Sequence, residues 1–249
     1  MKTDLRSSFD DRLEEVDAYL DFLGKVEDGY SFTKDKSFRE LVTIQQRRIL
    51  YSSFYLQLYG LIESTVAFCI SYLTKIVMDG KYIPCQFNKS IQREWVRFVA
   101  DTGSGLSEET RLDKACGLCY AFIEEVKMFD IKLGRGGNWD DSKIEELSKL
   151  LGMNLKISKG KYRAIKIRGR DGDSPMMSVR KLRNKLSHGS ISFSDCAESI
   201  VFSDLCEIRN AVVGYLKEFI ISFEEYISNG DFLDSETRSV INKRNLRGF

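Results

Sequence analysis

Only two prolines, Pro84 and Pro175, interrupt 249 residues, and this scarcity constrains the fold more than any other feature. Proline breaks helix interiors because it removes a backbone donor and clashes with the preceding turn. Long proline-free stretches therefore leave apolar periodicity free to become helix. Leu5, Phe9, Leu13, Val16, Leu20 and Leu23 recur at spacings of four and three, which predicts a first helix with one buried stripe. Residues 36–79 carry a longer helical pattern with a break expected near residue 50. Its middle, "YLQLYGLIESTVAFCISYL", is apolar nearly all round, as the central helix of a bundle is. Further helices are expected over 90–100, 107–129, 142–151, 175–188, 202–227 and 234–245, with Asp140 or Asp141 capping the one at 142.

One segment changes character. In "LKISKGKYRAIKIRGRDGD" (155–173) basic and β-branched residues alternate and glycines punctuate, so a small β-hairpin or an ordered basic loop is expected there. The fold class is thus an all-α helical bundle, a single domain over 1–249, with a small insertion at about 152–173. A hydrophobic content of 43% and 30% charged residues are ordinary globular usage. The first residues lack the apolar core of a signal peptide. Arg47, Arg48, Glu63 and Lys75 break the most apolar stretch into uncharged runs shorter than the ~18 residues of a membrane span. A cytoplasmic protein with no membrane association is expected.

Two motifs are set aside. Cys116 and Cys119 have the spacing of half a zinc site, but no second such pair follows, and two small apolar residues on a buried helix are the simpler reading. "GRGGNWDD" (134–141) lacks the Lys-Ser/Thr that completes a phosphate loop. Neither a metal nor a cofactor is expected.

The stretch "RNKLSHG" (183–189) holds the single histidine of the chain. It ends a well-punctuated helix, with Ser174 as N-cap, Pro175 at the first helical position and Gly189 at the left-handed C-terminal position. At ~100° per residue, Val179, Leu182 and Leu186 form a buried stripe, with Arg183 at its edge. His188 falls on the far side, ~140° from Arg183 on the same wheel. For the two to share a site, the helix end must unwind at Gly189 or a second copy of the chain must supply the partner. The second route predicts a homodimer with a composite site.

This Arg-x4-His segment resembles the motif of the HEPN superfamily (higher eukaryotes and prokaryotes nucleotide-binding), all-helical proteins that are mostly metal-independent ribonucleases. "LRSSFDDRLEEVDAYLDFL", "LYGLIEST" (58–65), "GNWDDSKIEELSKLLGM" and "HGSISFSD" (188–195) are similar, in matching order, to the MAE-type HEPN-like nucleases of bacteria. The resemblance implies an endoribonuclease that cuts by attack of the RNA 2′-oxygen. His188 would be its general acid/base and Arg183 the stabiliser of the crowded phosphate, with Asn184 orienting the imidazole or the substrate and Ser187 in support. It also implies a toxin or phage-defence role with an antitoxin protein as partner. The alternative is a non-catalytic HEPN protein that binds RNA, a nucleotide or a partner, as antitoxin or sensor. A related toxin group carries a modified tyrosine two residues after the motif histidine; Ser190 stands here, so that control is not carried over.

Two further expectations come from charge. Glu63 interrupts an apolar helix, and a buried carboxylate wants a partner; Arg183 is the candidate, which makes Glu63 a supporting residue. Residues 156–188 carry a net charge of +9 in a chain of +1, so basic charge is segregated beside the motif helix and RNA phosphates are the natural client. Lys161, Arg163, Lys166, Arg168, Arg180 and Lys185 would meet the backbone, and Tyr162 would stack a base.

Overall fold

The computed structural model describes residues 4–28, 42–100, 107–131, 138–167 and 172–246. Ten α-helices follow in order: α1 (Asp4–Glu27), α2 (Ile44–Asp79), α3 (Lys89–Ala100), α4 (Glu108–Ala121), α5 (Asp141–Leu151), α6 (Lys159–Lys166), α7 (Pro175–Ser187), α8 (Phe193–Cys196), α9 (Phe202–Ser228) and α10 (Ser235–Leu246). A 3-10 turn spans Pro84–Gln86, and no strand occurs among the described residues. The all-α expectation is met.

The hairpin expectation is not. Residues 159–166 form α6, and residues 168–171 lie outside the described residues. The alternation that suggested a strand is overridden from outside the segment. The Glu218 carboxylate on α9 accepts from both the backbone N–H and the hydroxyl of Ser158, at 2.6 and 2.7 Å. It thereby anchors the residue that starts α6, and Ile165 is then fully buried. A second correction concerns 107–129, where the helix stops at Ala121. The apolar residues beyond it pack as irregular chain: Val126 donates its N–H to the Tyr82 carbonyl at 2.8 Å, and Val126, Phe129 and Ile131 are buried. α2 runs without a break at residue 50. By length and composition α2 would suffice for a membrane span, with a mean hydropathy of 1.5 over 18 residues. Its Phe54, Leu58, Ile62, Val66, Leu73 and Val77 are completely buried inside the protein.

The chain forms two compact units. The first comprises residues 1–66, 138–143 and 157–218. Leu5, Phe9, Leu13, Val16 and Leu23 of α1 are buried as the stripe predicts, together with Met176, Val179 and Leu186 of α7 and Leu205, Val212 and Leu216 of α9; Leu20 is half-buried. Arg209 on α9 grips Asp17 on α1 through Nε at 2.8 Å and through Nη2, the two-pronged geometry that suits guanidinium to carboxylate. The second unit comprises residues 67–137, 144–156 and 219–249. Its core contains an aromatic group of Tyr82, Phe87, Tyr226 and Phe232 with edge-on contacts, and the Tyr226 hydroxyl donates to the Leu151 carbonyl at 2.7 Å. α4, in this unit, has no buried residue. Cys116 and Cys119 are exposed on it, which corrects the reading that placed them inside a buried helix.

Candidate active site

α7 begins and ends as its sequence dictates. The Ser174 hydroxyl accepts from the Met177 N–H, Pro175 sits at the first helical position, and the helix stays regular through Ser187. At the far end Gly189 adopts φ +66°. Its N–H donates to the Leu186 carbonyl at 3.1 Å, and the Ser190 N–H donates to the Lys185 carbonyl at 2.8 Å. These two bonds are the Schellman closure, which satisfies carbonyls left over at a helix end. His188 caps the helix at φ −92°, ψ 1°, close enough to helical that its position on the wheel persists. The helix is therefore wound as far as Ser187, and the His188 N–H still donates to the Asn184 carbonyl at 3.0 Å. The histidine is exposed, and its imidazole makes no side-chain hydrogen bond with the described residues.

Arg183 is seated on three sides. Its guanidinium carbon lies 4.4 Å from the ring centroid of Tyr59 on α2, a cation–π contact worth about 0.5–2 kcal/mol. Nη1 donates to the Asn184 Oδ1 at 2.9 Å. Nη2 stands 3.7 Å from the Glu63 Oε2, with the two side chains 30% and 42% exposed. At that exposure the ion pair contributes about 1 kcal/mol at most. Arg183 and Glu63 are thus brought together as expected, but the premise was wrong: Glu63 is half-exposed rather than buried. Tyr59 is 1% exposed and accepts from the Trp139 N–H at 3.2 Å. Burial pushes its phenol above the ordinary tyrosine value, the Trp139 bond and the nearby guanidinium of Arg183 opposing.

The approach to α5 supplies the rest of the seat. Asn138 Oδ1 accepts from the Asn184 Nδ2 at 2.9 Å. Asp140 and Asp141 are 1% and 2% exposed. Asp140 accepts from the Lys143 N–H at 2.9 Å as the cap of α5, and pairs with Arg180 on α7 at 2.8 Å. Asp141 pairs with Lys166 on α6 at 2.6 Å and accepts from the Ser174 hydroxyl, while its carbonyl accepts from the Tyr215 hydroxyl on α9 at 3.4 Å. Burying a carboxylate is costly unless it is paired and hydrogen-bonded in this way.

The basic residues named from sequence divide accordingly. Lys166 and Arg180 are held by the protein's own carboxylates. Lys161, Tyr162, Arg163 and Lys185 are exposed, as is Ser187, and Arg168 lies outside the described residues. Sequence reasoning missed Tyr59, Asn138 and the pairing role of Asp140 and Asp141. A signal was present, because Tyr59 and Glu63 fall in "LYGLIEST" and residues 138–141 in "GNWDD". Two separated stretches of the chain converge on one arginine. The profile of the MAE_28990-like HEPN domain matches residues 1–232. The chain belongs to the HEPN family. No curated protein and no solved structure gives a match. HEPN domains generally include ribonucleases; in this chain the stretch from Arg183 to His188 lies wholly on α7 and its cap.

Proposed function

We propose that this HEPN protein is a metal-independent endoribonuclease. The observation that carries the reading is the seat of Arg183: an always-charged, planar donor held against Tyr59, Glu63 and Asn184 yet still 30% exposed, on a helix whose C-cap is an exposed histidine. A phosphate crowded by an attacking oxygen gains most from a donor fixed in advance, and guanidinium matches phosphate oxygens with two prongs. An imidazole placed at the reacting oxygens can take a proton from one and give a proton to the other, the role given to His188. The RNA 2′-hydroxyl loses its proton as its oxygen bonds to phosphorus, the bond from phosphorus to the 5′-oxygen breaks, and the leaving oxygen gains a proton. The products are a 2′,3′-cyclic phosphate and a free 5′-hydroxyl.

His188 follows α7 as its cap, ~140° round the wheel from Arg183, so the reading assigns each site an arginine from one protomer and a histidine from a partner copy. Lys161, Arg163 and Lys185 would contact the RNA backbone and Tyr162 would stack a base. In the cell the activity suits a toxin or phage-defence effector restrained by an antitoxin protein. The test is digestion of RNA in EDTA by wild type, Arg183→Ala and His188→Ala, with end-group analysis. Cutting that survives EDTA, leaves cyclic phosphate ends, spares DNA and disappears in both variants is the expected result. RNA binding without turnover in the wild type would overturn the catalytic reading in favour of a binding protein.

A further inference from the structure

Of the four consecutive residues Asn138 to Asp141, the first three engage the surroundings of Arg183 through Asn184, Tyr59 and Arg180, and Asp141 engages Lys166 and Ser174; only part of that engagement is needed to build a helix. Asp140 caps α5, which accounts for one of the four by fold alone. Asn138 is different. It is exposed, lies outside the cap, and its amide oxygen is directed at the Asn184 amide nitrogen. An asparagine amide has a donor end and an acceptor end, and the one it presents is decided by its neighbours. With Asn138 accepting from the Asn184 Nδ2, the Asn184 oxygen is left facing Arg183, whose Nη1 it takes at 2.9 Å. Were Asn184 turned over, two N–H donors would confront one another and Arg183 would lose a fixed acceptor. Trp139 acts beneath the same group, its backbone N–H held by the hydroxyl of the Tyr59 ring that carries the guanidinium. Asp140 and Asp141 tie Arg180 and Ser174 of α7 to this stretch.

We propose that Asn138–Asp141 is a positioning clamp that fixes the direction of the Arg183 guanidinium, with Asn138 acting through the Asn184 amide. The proposal rests on the ribonuclease reading for its effect on rate, but its structural content stands apart from that reading. Asn138 is a positioning residue that has no contact with the reacting atoms. Asn138→Ala frees the Asn184 amide to turn, whereas Asn138→Asp keeps an acceptor in place and restores its orientation.

The experiment pairs two readouts on the full chain. In single-turnover RNA cleavage, Asn138→Ala is expected to lower the maximal rate on the order of 10- to 100-fold, the scale of a misplaced catalytic group. The RNA concentration at half-maximal rate and the melting temperature should stay unchanged, and Asn138→Asp should recover most of the loss. In nitrogen-15 spectra of the arginine side chains, the Arg183 signals are assigned by their disappearance in Arg183→Lys. They should show slow rotation of the guanidinium in wild type and Asn138→Asp, and averaging in Asn138→Ala. Unaltered Arg183 signals in Asn138→Ala overturn the clamp whatever the cleavage rates. A wild type that cuts no RNA while its Arg183 signals depend on Asn138 overturns the ribonuclease reading and leaves the clamp supported.

Discussion

Arg183 lies over the face of Tyr59, 4.4 Å from the ring centroid, and the hydroxyl of that ring is held by the Trp139 backbone. Ring and hydroxyl therefore do separable work. Tyr59→Phe keeps the face and loses the acceptor, and is expected to cost about 1 kcal/mol of stability and to lower cleavage by less than loss of the face does. Tyr59→Leu removes the face and should lower cleavage by about 10- to 100-fold. Urea unfolding beside RNA cleavage separates the two effects. Equal cleavage in the two variants would show that the ring face does not matter.

The placement of His188 ~140° round the wheel from Arg183 makes a second prediction. Arg183→Ala and His188→Ala are each expected to be inactive, yet co-refolding equal amounts should restore about a quarter of wild-type activity. In a two-fold dimer half the molecules would then be mixed, each with one intact site of two. No recovery on mixing, with mixed dimers demonstrated by native mass spectrometry, would place both groups of a site on one chain.

Burial decides a third outcome. In the Lys166–Asp141 pair the lysine side chain is 29% exposed and the carboxylate 2%. Lys166→Ala takes the paired cation from a buried carboxylate, whereas Asp141→Asn leaves a lysine that can turn towards water. The lysine variant is therefore expected to lose more stability, about 3 kcal/mol against about 1–2 kcal/mol. Denaturant midpoints measured at constant slope give the order directly, and the reverse order would contradict the argument.

A pH effect resides in the second unit. Asp234 caps α10, accepting from the N–H groups of Glu236 and Thr237 and from the Thr237 hydroxyl. Burial alone would raise its carboxyl, but these bonds outweigh it and hold the group below the ordinary aspartate value. A carboxyl depressed in the folded state contributes stability above its unfolded value of about 3.9, and that contribution is lost as pH falls through the lower folded value. Asp234→Ala should therefore cost about 1 kcal/mol near neutrality and nothing at the acid end. Unfolding curves from pH 7 down to pH 2.5 test this, and a constant difference would refute it.

The helices legible in the sequence were those whose signals are local. α7 was bounded correctly because its cap, its proline and its left-handed glycine all lie within or beside it, and α5 because Asp140 stands at its start. α6 was missed because the group that anchors it, Glu218, lies 60 positions away on α9, beyond the reach of any window. The end of α4 was overrun because Val126, Phe129 and Ile131 are as apolar as helix residues while packing without helix. The site divided along the same line. Arg183 and His188 follow from one motif, and Glu63 was matched to Arg183 on the premise of a buried carboxylate, although it is half-exposed. Tyr59 was hidden among apolar neighbours, and Asn138 in a loop that invited a phosphate reading. Periodicity ranks positions by face, but it does not reveal which face of another helix they will meet.

All four links at 138–141 are carried by one uninterrupted piece of backbone. Exchanging one residue there breaks one link, whereas a single residue inserted among them would shift some links out of reach while the others held. The spacing of such a stretch is therefore as much a part of the arrangement as its side chains.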